Sequence, residues 1–249
     1  RTPLRPSYAL FRRSLSTLMQ PTVLLFDIDG TLISSGGVAR RCIQQAFAER
    51  YGRSDTLAAS FGGMTDRAIV REALGPLRPD LQGAALEMEI DAALDAYLAV
   101  LEAEAGAATS SFRVHRGIHA ALDAVVGRAD YAVGLGTGNV RRGARIKLEC
   151  VGLFDAFTFG GFGCDHEDRA QLLEIGAERG AAELGVPLAA CRVVVIGDTP
   201  KDVAAAHAIG AECVAVATGA ASRAELLAHR PEALFDDLAE PGAIEAIIG

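Results

Sequence analysis

Three short apolar runs each stop on a polar, glycine-bearing loop, and this recurrence constrains the fold more than any other feature of the chain. Val23-Leu24-Leu25-Phe26 runs into Asp27-Ile28-Asp29-Gly30-Thr31. The run 131–135 leads into Gly136-Thr137-Gly138-Asn139, and 193–196 into Gly197-Asp198-Thr199-Pro200. Wholly apolar runs of this length read as strands buried on both faces. Weaker strands are expected at 156–159, 213–216 and 233–235. Helical patterns separate them over 117–126, 142–151, 169–184, 203–209 and 222–228. Alternating strands and helices predict an α/β fold with a parallel sheet covered on both faces. Ligands of such sheets bind beyond the carboxyl ends of the strands, where all three polar loops fall.

Between residues 35 and 113 the pattern changes. This stretch is rich in Ala, Leu, Glu and Arg, with helical periodicity over 38–51, 66–74 and 84–104 and no convincing strand. Gly36-Gly37 and Ala107-Ala108-Thr109-Ser110-Ser111 have the composition of hinges. The expected organisation is a core of residues 21–34 and 114–249 with a helical domain, 35–113, inserted after the first strand. Residues 1–20 carry four arginines and no acidic residue, and read as a disordered leader or a transit peptide.

Charge narrows the partners. The formal net charge of -8 disfavours nucleic acid and anionic membranes and also repels anionic metabolites at long range, so a phosphate-binding site for a small phosphorylated metabolite would need a local positive device such as a metal ion or a ring of N–H groups. Five scattered cysteines without a CxxC pair suit a reducing, cytoplasmic setting. Oligomeric state is not legible.

Carboxylates at the tips of buried strands are costly unless something stabilises them. Asp27 and Asp29 stand two apart in one loop and Asp198 ends another strand, a hard oxygen set that suits Mg²⁺. Asp27 can then act as a nucleophile, with Asp29 placed to protonate a leaving oxygen and afterwards deprotonate water. Thr137 and the Gly138 N–H can cradle phosphoryl oxygens. Singly, each motif is as readily a turn or, at Asp198-Thr199, a helix cap. Three such loops after three strands are harder to explain as turns.

Asp27-Ile28-Asp29-Gly30-Thr31, Thr137 after its strand, and Gly197-Asp198-Thr199-Pro200-Lys201-Asp202 together resemble motifs one, two and four of the haloacid dehalogenase-like (HAD) superfamily. The helical insertion resembles the cap of its phosphoglycolate phosphatase and beta-phosphoglucomutase branch. The resemblance implies a Rossmann-like core and Mg²⁺ held by Asp27, the backbone carbonyl of Asp29 and Asp198, with Asp202 in support. It adds Gly30 to the phosphate loop, and implies that Gly63, Met64 and Thr65 lie in a cap loop facing the substrate.

The resemblance fails at one point. The family's third motif supplies a lysine before the fourth, yet the only lysines are Lys147 and Lys201. Arg169 is the expected replacement, because a guanidinium can bind phosphate and carboxylate together. The alternatives are that Arg169 merely pairs with Asp165 or Asp168, or that Lys147 serves instead. Arg40, Arg41 and Arg67 are either contacts for an anionic substrate tail or solvated helix residues. His166 is read as a loop residue. The expected activity is a Mg²⁺-dependent phosphatase acting on a small phosphomonoester through an aspartyl-phosphate, with phosphoglycolate as a family-level substrate. A sugar phosphomutase is the runner-up, although the insertion lacks lysine and histidine. A non-catalytic binding or scaffold protein is the reading from another class.

Overall fold

The computed structural model describes residues 20–249. The leader expected over residues 1–20 lies, but for Gln20, outside them.

Six parallel strands form the main sheet in the order β5-β4-β1-β6-β7-β8. The central strand is β1 (Thr22–Phe26), flanked by β4 (Tyr131–Thr137) and β6 (Arg192–Gly197). The outer strands are β5 (Phe159–Phe162), β7 (Glu212–Val216) and β8 (Ala233–Phe235). Every residue of β1 is buried, as expected for a strand covered on both faces. Its alternate side chains enter different cores. Val23 and Leu25 join Val195, Leu172, Leu173 and Val203 on one face. Leu24 and Phe26 join Val194, Ile196 and Val214 on the other. Burying each such side chain contributes roughly 1.5–3 kcal/mol, so β1 anchors the sheet from both sides.

The chain leaves β1, returns through β4 and β5 on one side of it, and then crosses to β6 on the other. This reversal opens a crevice at the carboxyl ends of β1 and β6. Phe26 pairs with Ile196, and the Asp27 N–H donates to the Ile196 carbonyl at 2.9 Å. Asp27 and Asp198 are thereby brought to the same rim.

A two-stranded antiparallel ribbon, β2 (Ile33–Ser34) with β3 (Arg113–Val114), marks both crossings between core and cap. Strands of two residues carry no alternation to read, so local composition does not signal this ribbon. The cap is built from α1 (Val38–Tyr51), α2 (Asp66–Leu77) and α3 (Gly83–Ala107). Its interior residues Phe47, Leu74, Leu98 and Leu101 belong to the same apolar cluster as Leu24 and Phe26. The cap therefore packs continuously on one face of the core. No helix among the described residues is long and apolar enough to cross a membrane.

The core helices are α4 (Ile118–Asp123), α5 (Arg141–Glu149), α6 (Arg169–Glu183), α7 (Pro200–Ala208), α8 (Arg223–Ala228) and α9 (Ala243–Ile248). The short α9 was not anticipated. It buries Ala243 and Ile247, and the Arg192 guanidinium donates to the carbonyls of Ala246 and Ile247 at its end. The expected strand at 156–159 is displaced to Phe159–Phe162. Gly160 and Gly161, which suggest a loop, are strand residues closely approached by other elements: a Cβ at Gly160 would meet Leu135 of β4, and α6 lies against Gly161. A Cβ at Gly161 would overlap the Leu172 carbonyl, and α6 contributes its own Gly176 at the same crossing.

Candidate active site

Three buried carboxylates converge at the switch point. Asp27, Asp198 and Asp202 can bring one oxygen each within 4.8 Å of one another. Their positions follow from local structure. Asp27 continues the buried β1, and Asp198 follows β6. Asp202 is the third residue of α7, locked in a reciprocal cap with Thr199: the Thr199 N–H and hydroxyl donate to Asp202 Oδ2 at 2.9 and 2.6 Å. The Thr31 hydroxyl donates to Asp198 Oδ1 at 2.9 Å. Gly30 (φ +92°) and Gly219 close around Asp198, and a Cβ on either would overlap its carboxylate.

Arg169, the first residue of α6, answers part of this negative charge. Its Nε donates to Asp202 Oδ1 at 2.7 Å, and Nη2 lies 3.1 Å from Asp27 Oδ2 and beside Asp202 Oδ1. These Nη2 contacts are ionic and lack good hydrogen-bond geometry. Asp165 pairs with Arg179 and Asp168 caps α6, so neither engages Arg169. One guanidinium among three carboxylates leaves two negative charges uncompensated. Burial pushes the Asp27 carboxyl up to about 6, with Arg169 opposing and Asp202 and Asp29 adding to the rise. Burial, with Asp202 and Asp27 adding their charge, pushes Asp198 up to about 8. A divalent, oxygen-seeking cation fits this donor set: it would balance the surplus charge and fill the glycine-lined approach to Asp198.

The Asp29 side chain stands apart from that cluster. Lys147 Nζ donates to its Oδ2 at 2.6 Å, and Asn139 Nδ2 donates to the same oxygen at 2.8 Å. Asn139 Nδ2 also donates to Thr137 Oγ1 at 2.9 Å, which leaves the Thr137 hydroxyl proton for another acceptor. Thr137 is fully buried. Burial opposes the charge of Lys147, but Asp29, Tyr97 and Asp66 more than reverse that and hold its pKa above the ordinary lysine value.

A cavity of about 890 Å³ lies between this rim and the cap. Asp27, Asp29, Gly138, Asn139, Lys147 and Asp198 line its floor, and Ile43, Phe61, Gly63, Met64 and Ile69 its roof. The cap loop is hydrogen-bonded to the core. The Asp66 N–H donates to the Gly138 carbonyl at 2.8 Å, and the Val140 N–H to Asp66 Oδ2 at 2.9 Å. Arg71 grips Glu167 with Nε 2.9 Å from Oε2.

Most residues singled out in the sequence thus meet at one place, with corrections of role. The Gly30 N–H is not available to a phosphate, because it donates to the Ile33 carbonyl at 2.9 Å; the residue's contribution is room for Asp198. Thr65 does not line the cavity. Its hydroxyl caps α2 and reaches the Glu167 carbonyl. Asp202 has both carboxylate oxygens engaged by protein donors, which makes it a support rather than an open ligand. Arg67 pairs with Glu87, Asp91 and Glu167, and Arg40 binds the carbonyls of Ala58 and Ala59 while stacking on Phe61. Arg67 is thus held by carboxylates, whereas Arg40 lines the cavity. His166 accepts the Asp168 N–H in its loop. Asn139 was passed over as part of a turn. Lys147, the alternative cation, lies beside Ala144, Ile146 and Leu148 in the buried part of α5, and those apolar neighbours are the sequence signal that a lysine there must be paired.

Comparison with known proteins agrees with this picture. The family model of the haloacid dehalogenase-like hydrolases matches residues 21–210. No curated protein matches the chain. Among solved structures, a predicted phosphatase from Clostridium acetobutylicum superposes with a TM-score of 0.64 at 17% identity, covering 92% of this chain and 99% of that one. CbbY from Rhodobacter sphaeroides, solved with phosphate, gives 0.63 at 20% identity, covering 90% and 97%. A predicted phosphoglycolate phosphatase from Haemophilus somnus gives 0.61 at 18%, covering 90% and 97%. These likenesses establish a shared fold, helical cap included. The chain belongs to the haloacid dehalogenase-like hydrolases.

Proposed function

We propose that the protein is a Mg²⁺-dependent phosphatase that hydrolyses a small phosphomonoester by way of a phosphorylated Asp27. The observation that carries this reading is the buried trio Asp27, Asp198 and Asp202 with a single guanidinium, Arg169, bound between two of its members. Asp27, Asp198 and the Asp29 backbone carbonyl would hold the ion, with Asp202 positioning its neighbours. When bound, Mg²⁺ supplies charge neutralisation for phosphate and nucleophile.

The remaining work falls to the chain. An Asp27 carboxylate oxygen attacks phosphorus while Thr137, the Gly138 N–H and Arg169 Nη2 bind the phosphoryl oxygens. Asp29 gives a proton to the leaving oxygen, then takes one from the water that releases phosphate. The roof residues Ile43, Phe61, Met64 and Ile69 exclude bulk water and receive the leaving group.

The test is release of phosphate from a panel that includes p-nitrophenyl phosphate, phosphoglycolate, alkyl phosphomonoesters and hexose phosphates. Turnover is expected to stop with a chelator, return with Mg²⁺, and stay low with Ca²⁺, whose looser and larger coordination suits the site poorly. Hexose phosphate isomerisation without phosphate release would establish a mutase instead. A silent panel, with and without Mg²⁺, would support a binding protein.

A further inference from the structure

The feature that the mechanism above leaves unused is the buried lysine. On α5, Arg141, Arg142 and Arg145 keep their charges toward solvent or surface partners, whereas the Lys147 side chain is 4% exposed. Placing an ammonium there is costly even when it is paired, and replacing a whole buried ion pair by apolar residues is often neutral or stabilising. Packing alone therefore does not explain the lysine.

The geometry gives that role a direction. Lys147 Nζ is 2.6 Å from Asp29 Oδ2 and 2.6 Å from Asn139 Oδ1. A lysine has only protons to offer, so it fixes which way the Asn139 amide faces. The amide nitrogen must then point at Asp29 Oδ2 and Thr137 Oγ1, 2.8 and 2.9 Å away. Both donors hold the same carboxylate oxygen of Asp29, and Asp29 lines the cavity. The other oxygen, Oδ1, is left to the cavity. One ammonium thus sets the orientation of Asp29 and, through Asn139, ties it to Thr137.

We propose that Lys147 is a positioning residue: acting directly and through Asn139, it clamps Oδ2 of Asp29 so that Oδ1 faces the leaving oxygen and, later, the attacking water. This rests on the phosphatase reading. In the first half-reaction the Asp27–phosphorus bond forms as the bond from phosphorus to the leaving oxygen breaks, and the proton on Asp29 Oδ1 passes to that oxygen. In the second, a water oxygen bonds to phosphorus, the Asp27–phosphorus bond breaks, and the water proton returns to Oδ1.

A double-mutant cycle separates this from a purely structural lysine. Wild type, Lys147→Met, Asp29→Asn and the double variant are compared for alcohol release in the first turnover. The esters are one alkyl phosphate and p-nitrophenyl phosphate, whose leaving group needs no proton. Lys147→Met should slow alkyl ester cleavage about 100-fold, the scale of a 1 Å misplacement. It should barely affect p-nitrophenol release, and should cost nothing further once Asp29 is Asn. Lys147→Gln, which keeps a donor, should recover part of the loss, and it carries the cycle alone if the Met variant does not fold. Equal losses on both esters, or losses that multiply in the double variant, overturn the positioning role while leaving the phosphatase reading intact. A wild-type protein that cleaves neither ester removes both.

Discussion

Replacing Asp27 by Asn should lower phosphate release by at least about 10⁴-fold while the protein folds and melts cooperatively, since loss of a covalent nucleophile is among the largest single effects an enzyme shows. The stability half of this expectation has a definite sign. Burial raises the folded-state pKa of Asp27 to about 6, above its ordinary 3.8. Its ionisation therefore opposes folding at pH values above about 6 and has no effect well below 3.8. Without added metal, Asp27→Asn should melt at or above the wild-type temperature at pH 8, and the advantage should vanish as the pH falls toward 4. Thermal melts at both pH values, alongside turnover assays, check both halves. A variant that lost activity because it was unfolded would show the opposite stability change.

Replacing Arg169 by Met should damage both stability and turnover. The side chain is 8% exposed and Asp202 is fully buried, so removing the guanidinium strands two carboxylates away from water. Breaking a buried pair of this kind costs about 3–5 kcal/mol. Turnover should fall by about 10²–10³-fold, the usual penalty for removing one donor to a transition-state oxyanion. The two effects can be separated. Adding Asp202→Asn to Arg169→Met removes one stranded charge and should restore much of the melting temperature, but not the lost turnover. Recovery of both would make Arg169 a structural counter-ion with no part in phosphate binding.

How far the sequence reveals such a protein depends on what each residue type can report. The strands β1, β4 and β6 were legible because runs such as Val23–Phe26 are apolar throughout, and the loops after them because carboxylates and glycines interrupt those runs abruptly. The displaced β5 was not, because Gly160 and Gly161 fit the close approach of Leu135 and of α6 respectively, a fact about tertiary packing that local composition reports as a loop. The ribbon β2–β3 and helix α9 are too short to carry a period. Within the site, Arg169 could be nominated because a cation was missing from a defined segment. Lys147 and Asn139 could not be joined to Asp29, since more than a hundred residues separate Asp29 from either in the chain and only the fold brings them together. Arg67 failed in the other direction. Its charge allowed a substrate contact, but Glu87, Asp91 and Glu167 claim it first, while Arg40 does line the cavity.

The most direct test of the account is chemical capture of the intermediate on Asp27. The protein is mixed with Mg²⁺ and a cleavable phosphate ester, quenched during turnover, reduced with borohydride and read by peptide mass spectrometry. Reduction converts an aspartyl-phosphate to homoserine while leaving a free carboxylate untouched. Homoserine is expected at position 27, absent when either the ester or Mg²⁺ is withheld. Steady release of phosphate with Asp27 recovered unmodified, or homoserine at another aspartate, would contradict it.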